Sequence, residues 1–246
     1  MNARQQWLRE APHWPNREAS RFVHAAGIDW HVQVRGHGPV LLLLHGTGAA
    51  SSSWRDLLPA LARHYTVVAP DLPGHGFSAP LPRSRCSLPG MARALAELMR
   101  TLGLAPVYIV GHSAGAALAA RMALDGVPTL KAMVWLGAAL RPFEGLTGVI
   151  APVLARVLSR SVLLPRIAAW RAGDSAAVQR LIATTGSHLA AGGIEDYRRL
   201  LRRPAHVSGA LAMMAGWDLA PLSDELPRVA APVLMLHGAQ DRTVPP

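Results

Sequence analysis

Apolar residues follow two rhythms along this chain. Val40–Leu44 and Thr66–Ala69 are short unbroken apolar runs closed by turn-forming residues, which predicts strands buried on both faces. Pro106–Val110, Ala132–Leu136 and Val233–Leu236 read as further strands. Between them, Trp54–His64, Leu88–Leu102 and the alanine-rich stretch down to Leu124 repeat at helical spacing. Ser20–Arg35 differs. His31, Gln33 and Arg35 alternate with Trp30, Val32 and Val34 around a break at Ala26-Gly27, which predicts a half-buried antiparallel pair. Strands that alternate with helices imply an α/β fold with a mostly parallel sheet flanked by helices on both faces.

Roughly a hundred residues of helical pattern separate Leu136 from Val233, far more than an ordinary connection needs. We expect an inserted helical cap at residues 141–217, with the α/β core made from residues 1–140 and 218–246. Within the cap, Leu146–Trp170 is mostly apolar but interrupted by Arg156, Arg160 and Arg166. Charges so placed make a poor membrane span. Leu146, Val149, Ile150, Val153, Leu154, Val157 and Leu158 form a stripe edged by Arg156 and Arg160. One reading is an apolar roof whose arginines hold a substrate carboxylate. The other readings are plain packing on the core and peripheral membrane contact.

Composition narrows the function classes. In 246 residues, half are hydrophobic and 16% are charged, so a large core is expected. Cys86 is the sole cysteine, and residues 1–17 lack an apolar signal segment; a cytoplasmic, reducing compartment is therefore expected. The net charge is +10, nearly all of it arginine, with Lys131 the only lysine. No basic run is interleaved with aromatics, so nucleic acid is not an expected partner. No histidine or cysteine pair has ligand spacing on one element, so neither metal nor cofactor is expected.

The chemistry centres on Gly111-His112-Ser113-Ala114-Gly115, which lies between a strand and a helix. This context makes G-x-S-x-G a nucleophile elbow, with Ser113 at its tip and the Ala114 N–H facing a developing oxyanion. His45-Gly46-Thr47-Gly48 follows the Val40–Leu44 strand, and its Thr47 N–H is the second oxyanion donor. Asp71-Leu72-Pro73-Gly74-His75-Gly76 reads as a shaped turn. Asp241, in the segment Gly238–Pro245, is the acid that orients a histidine, in preference to Glu144. In this architecture the histidine follows the acid, yet none follows Asp241 before Pro246. The expectation is a C-terminal truncation, with the last strand, last helix and general base beyond residue 246. His45 and His237 are read as structural hydrogen-bonding groups, and His188 and His206 as cap residues.

Together these segments resemble the α/β-hydrolase superfamily. Trp14-Pro15-Asn16-Arg17-Glu18, His45–Gly48, Gly111–Ala116, Arg203-Pro204-Ala205-His206-Val207 and Met213–Leu219 further resemble the magnesium-chelatase accessory proteins of bacteriochlorophyll biosynthesis. That resemblance implies a serine hydrolase acting on an ester or similar acyl bond of an apolar small molecule, such as a tetrapyrrole. Its alternative is a non-catalytic porphyrin binder or chaperone that works beside magnesium-chelatase subunits. Peroxidase-like use of the same triad is a third reading. A serine nucleophile argues against haloalkane dehalogenation, which alkylates a carboxylate.

Overall fold

A computed structural model of the chain describes residues 3–142, 163–171, 173–241 and 243–244. Glu144, Arg156, Arg160 and the apolar stripe from Leu146 to Leu158 lie outside these residues. Seven strands form one sheet: β1 (Ser20–Ala25), β2 (Ile28–Arg35), β3 (Val40–Leu44), β4 (Thr66–Pro70), β5 (Tyr108–His112), β6 (Ala132–Leu136) and β7 (Val233–Leu236). Their spatial order is β1-β2-β4-β3-β5-β6-β7. The pairs β1–β2 and β2–β4 are antiparallel, and every other pair is parallel.

The central strands show why an unbroken apolar run suits this sheet. Successive side chains point to opposite faces, so Leu41 and Leu43 of β3 join Trp54, Leu58 and Val67 on one side. Leu42 and Leu44 join Val68, Ile109, Leu95 and Leu118 on the other. That second face carries α3 (Leu88–Thr101) and α4 (Ala114–Leu124). In α3, Met91, Leu95 and Leu98 are buried at helical spacing, and the Ser87 hydroxyl accepts the Gly90 N–H at its start. Among the described strands β7 is outermost on this side, with Leu234, Met235 and Leu236 exposed.

Two expectations are refined. The Trp54–His64 helix is a 3₁₀ turn, Ser51–Trp54, followed by a short α2 (Leu57–Leu61). Pro59 has no N–H to give to a preceding carbonyl, so the α-helix begins only within a turn of it. In β2, two of the three alternating polar residues are not solvated: His31 and Gln33 are fully buried, and only Arg35 is exposed. The N-terminal residues cover them. α1 (Ala3–Glu10) brings Trp7 to within 4.6 Å of the His31 ring, and Trp14, Phe22 and Phe77 complete the enclosure. Gln33 donates to the carbonyls of Pro15 and Asn16.

Between β6 and β7 the described helices are α5 (Leu164–Arg171), α6 (Ser175–Thr184), α7 (Ala191–Leu201), α8 (Pro204–Gly216) and α9 (Ala220–Glu225). The Arg55 guanidinium meets Asp196 of α7 at 2.7 Å, and Met213 of α8 belongs to the main core. α7 and α8 are therefore tied directly to the α/β core and its loops.

The turn after β4 is fixed by Asp71, whose carboxylate is completely buried. It accepts the Ser51 N–H at 2.7 Å, the Phe77 N–H at 2.9 Å and His31 Nδ1 at 2.8 Å. Burial alone would raise its pKa, but the neighbouring His31 and the backbone donors overcome it and hold the carboxyl below the usual range. Removing one member of such a buried group leaves the rest unpaired. Asp71→Ala is expected to lower stability by about 3–5 kcal/mol in urea titrations. A loss under about 1 kcal/mol would show that the turn is held by other contacts.

Candidate active site

The turn from β5 into α4 puts Ser113 in a backbone conformation that side chains rarely adopt, φ 52° and ψ −117°. Neighbouring backbone enforces it. The Ser113 N–H donates to the Leu136 carbonyl of β6 at 2.9 Å, and its own carbonyl accepts the Ala116 N–H at 3.0 Å. A Cβ at Gly111 would stand 2.5 Å from the Ala116 nitrogen, and one at Gly115 would overlap the Leu44 carbonyl oxygen. Only glycine fits either position. Strain of this kind costs on the order of 1–3 kcal/mol and persists only where surroundings over-determine it.

The loop after β3 lies directly against this turn. A Cβ at Gly46 would be 3.1 Å from both the Ser113 Cβ and His112 Nδ1. Ala114 opens α4, where N–H groups have no helical acceptor and the helix dipole favours negative charge. The structure thus brings Ser113, Ala114 and the Thr47 loop together at the carboxyl ends of adjacent strands, where open α/β sheets bind ligands.

Asp241 follows β7 on the same edge. Its Oδ1 accepts the N–H groups of Thr243 and Val244, at 2.8 and 3.0 Å. Its Oδ2 sits 3.2 Å from where a Cβ of Gly137, just after β6, would stand. Desolvation holds the His112 imidazole below its ordinary pKa, and the Asp241 carboxylate pulls it back up. Among the described residues no histidine hydrogen-bonds Asp241.

The remaining histidines here are committed elsewhere. His45 gives Nδ1–H to the Gly46 carbonyl at 2.8 Å, leaving Nε2 to accept the Leu72 N–H at 2.9 Å. His206 accepts the Gly76 N–H at Nδ1 and donates from Nε2 to the Gly48 carbonyl, at 3.0 and 3.1 Å. His75 lies between them, with ring centroids 5.3 Å from His45 and 5.4 Å from His206. Burial lowers the pKa of His45 to about 4 and that of His206 to about 4, and puts His75 well below its ordinary value. All three are neutral near pH 7, with both nitrogens of His45 and His206 already in use.

Sequence reasoning passed over α8 as a site element. His206 bonds the loops that follow β3 and β4. Gly209 lets the helix backbone touch Gly74, because a Cβ there would overlap the Gly74 carbonyl oxygen. The Thr47 hydroxyl reaches the Met213 sulfur at 3.6 Å. The signal was present, since Arg203–Val207 and Met213–Leu219 are among the segments that carry the family resemblance.

Fold and site together define the class: a model of the alpha/beta hydrolase fold matches residues 39–246, and the chain belongs to that family. More narrowly, it is 42% identical over 234 residues to the magnesium-chelatase 30 kDa subunit of Rhodobacter capsulatus, covering 94% of this chain and 82% of that protein. It is also 29% identical over 227 residues to the pimeloyl-[acyl-carrier protein] methyl ester esterase of Aeromonas hydrophila, across 85% of this chain and 80% of the esterase. Among solved structures, an α/β hydrolase fold protein from Burkholderia ambifaria superposes with a TM-score of 0.73 at 22% identity, over 92% of this chain and 83% of that one.

The buried histidines set an acid limit. Their folded pKa values lie below the unfolded value near 6.5. The unfolded chain therefore takes up protons first, and stability present above pH 6.5 is lost as pH falls toward 4. Each fully buried histidine removes up to about 1.4 kcal/mol per pH unit in that window. Asp196 opposes them, since burial raises its pKa to about 6, but it is one group against three. Denaturant midpoints are expected to fall between pH 7 and pH 5. A flat or rising midpoint would contradict this account.

Proposed function

We propose that the chain is a serine hydrolase that cleaves an ester or similar acyl bond. Ser113 is the nucleophile, the N–H groups of Ala114 and Thr47 form the oxyanion hole, and Asp241 is the acid suited to orient an imidazole base. The observation that carries this reading is the strained Ser113 turn, locked by Gly111 and Gly115 and faced by the Gly46–Thr47 loop. Asp241 supports it: its own loop saturates Oδ1, and among the described residues Oδ2 has no hydrogen-bond partner. A carboxylate held by one oxygen is suited to orient an imidazole with the other. We place residues 141–217 over the site as a cap. The proposed substrate is apolar and carboxylated, and the relationship to a magnesium-chelatase subunit favours a tetrapyrrole of bacteriochlorophyll synthesis. The esterase relative favours ester chemistry.

A second reading rests on the same relative, which is named as a chelatase subunit and not as a hydrolase. In it the chain binds a porphyrin for the chelatase and performs no chemistry.

A fluorophosphonate probe separates the two. Imidazole in solution supplies the base, because no described histidine hydrogen-bonds Asp241. Labelling is expected at Ser113, accelerated by imidazole and abolished in Ser113→Ala. Removing a triad nucleophile costs several orders of magnitude in rate. A folded protein that stays unlabelled with imidazole present, yet binds porphyrin equally with or without the Ser113 hydroxyl, is the binder.

A further inference from the structure

α5 turns an apolar face outward. Leu163, Ile167 and Trp170 are 67%, 53% and 80% exposed. Leu163 directly precedes α5 and its carbonyl accepts the Ile167 N–H, so the spacing of four and then three residues puts all three on one side. The helix packs against α8, and Ala169, roughly opposite the stripe at 100° per residue, is half-buried. At about 100° per residue, Arg166 falls on one flank of the exposed stripe and Arg171 on the other. Both arginines are exposed, and the helix contains no acidic residue.

We propose that this face docks the protein on an anionic lipid surface, independently of what Ser113 does. Three observations favour lipid over a protein partner. The stripe is one narrow helical ridge, and three side chains fall far short of the roughly 800 Å² per partner that a stable protein interface buries. A lipid surface needs no shape complementarity: Leu163 and Ile167 enter the acyl boundary while Trp170 sits at headgroup level. Arginines on both flanks extend their charged ends toward lipid phosphates while their stems stay with the apolar stripe. The chain's net charge of +10 acts in the same direction. Attachment of this kind is peripheral; no described helix is long and apolar enough to cross a membrane.

Co-sedimentation with lipid vesicles tests the proposal on the chain as it stands. Vesicles containing phosphatidylglycerol should bind it at least about tenfold more strongly than vesicles of phosphatidylcholine alone, and about 0.5 M salt should erase most of the difference. Replacing Ile167→Ser together with Trp170→Ser should cut binding at least about tenfold. Arg166→Gln with Arg171→Gln should weaken binding to anionic vesicles at least about tenfold. These side chains are exposed, so far-ultraviolet circular dichroism should match the parent in every variant. Absence of binding to anionic vesicles overturns the proposal. So does binding that ignores the Ile167 and Trp170 changes. A Trp170-dependent dimer in light scattering, with no vesicle binding, gives the face to a second copy instead.

Discussion

A single buried carboxylate holds together the end of the sheet where Ser113 sits. Asp71 would be costly in this position by itself, since an uncompensated buried charge costs several kcal/mol. Two backbone N–H groups and His31 more than reverse that tendency, because hydrogen bonds to a charged group contribute about 1.5–3 kcal/mol each. The consequence spreads along the chain. With Asp71 fixed, the Leu72 N–H is aimed at His45 Nε2, and His45 Nδ1–H holds the Gly46 carbonyl. Gly46 in turn lies against Ser113. The position of the Thr47 N–H relative to Ser113 therefore depends on a carboxylate outside both His45–Gly48 and Gly111–Gly115.

The same turn fixes α8. His206 holds it by two hydrogen bonds, Gly209 by backbone contact with Gly74, and Met213 by its place in the core and its contact with Thr47. Swinging α8 outward would leave the buried Gly76 N–H and Gly48 carbonyl unpaired, a penalty of about 1–3 kcal/mol for each group. α8 is a wall of the site.

What the sequence disclosed was what local physics decides. β3 and β4 were readable because a strand buried on both faces cannot hide its pattern. The Ser113 turn was readable because its conformation excludes a side chain at Gly111 and Gly115. β2 was misjudged as half-solvated because its cover comes from Trp7 and Trp14, and no periodicity within β2 records a distant tryptophan. His206 was missed for a similar reason. Its partners Gly76 and Gly48 are 130 and 158 positions away, and a histidine on an apolar helix looks alike whether it is idle or clamping two loops.

The conformation of Ser113 also bears on the choice between catalysis and binding. A site that only holds a porphyrin gains nothing from a serine in a strained turn, and an unstrained loop would leave the protein on the order of 1–3 kcal/mol more stable. Here the strain is enforced from several directions: by the Leu136 carbonyl, by the Ala116 N–H, and by two positions where only glycine fits. The histidines nearby do not rescue a purely structural account, because their bonds run to Gly46, Leu72, Gly48 and Gly76 and none supports Ser113. The nucleophilic attack proposed for Ser113 would use such a turn, which in this fold presents a hydroxyl beside helix-start N–H groups suited to a developing negative charge.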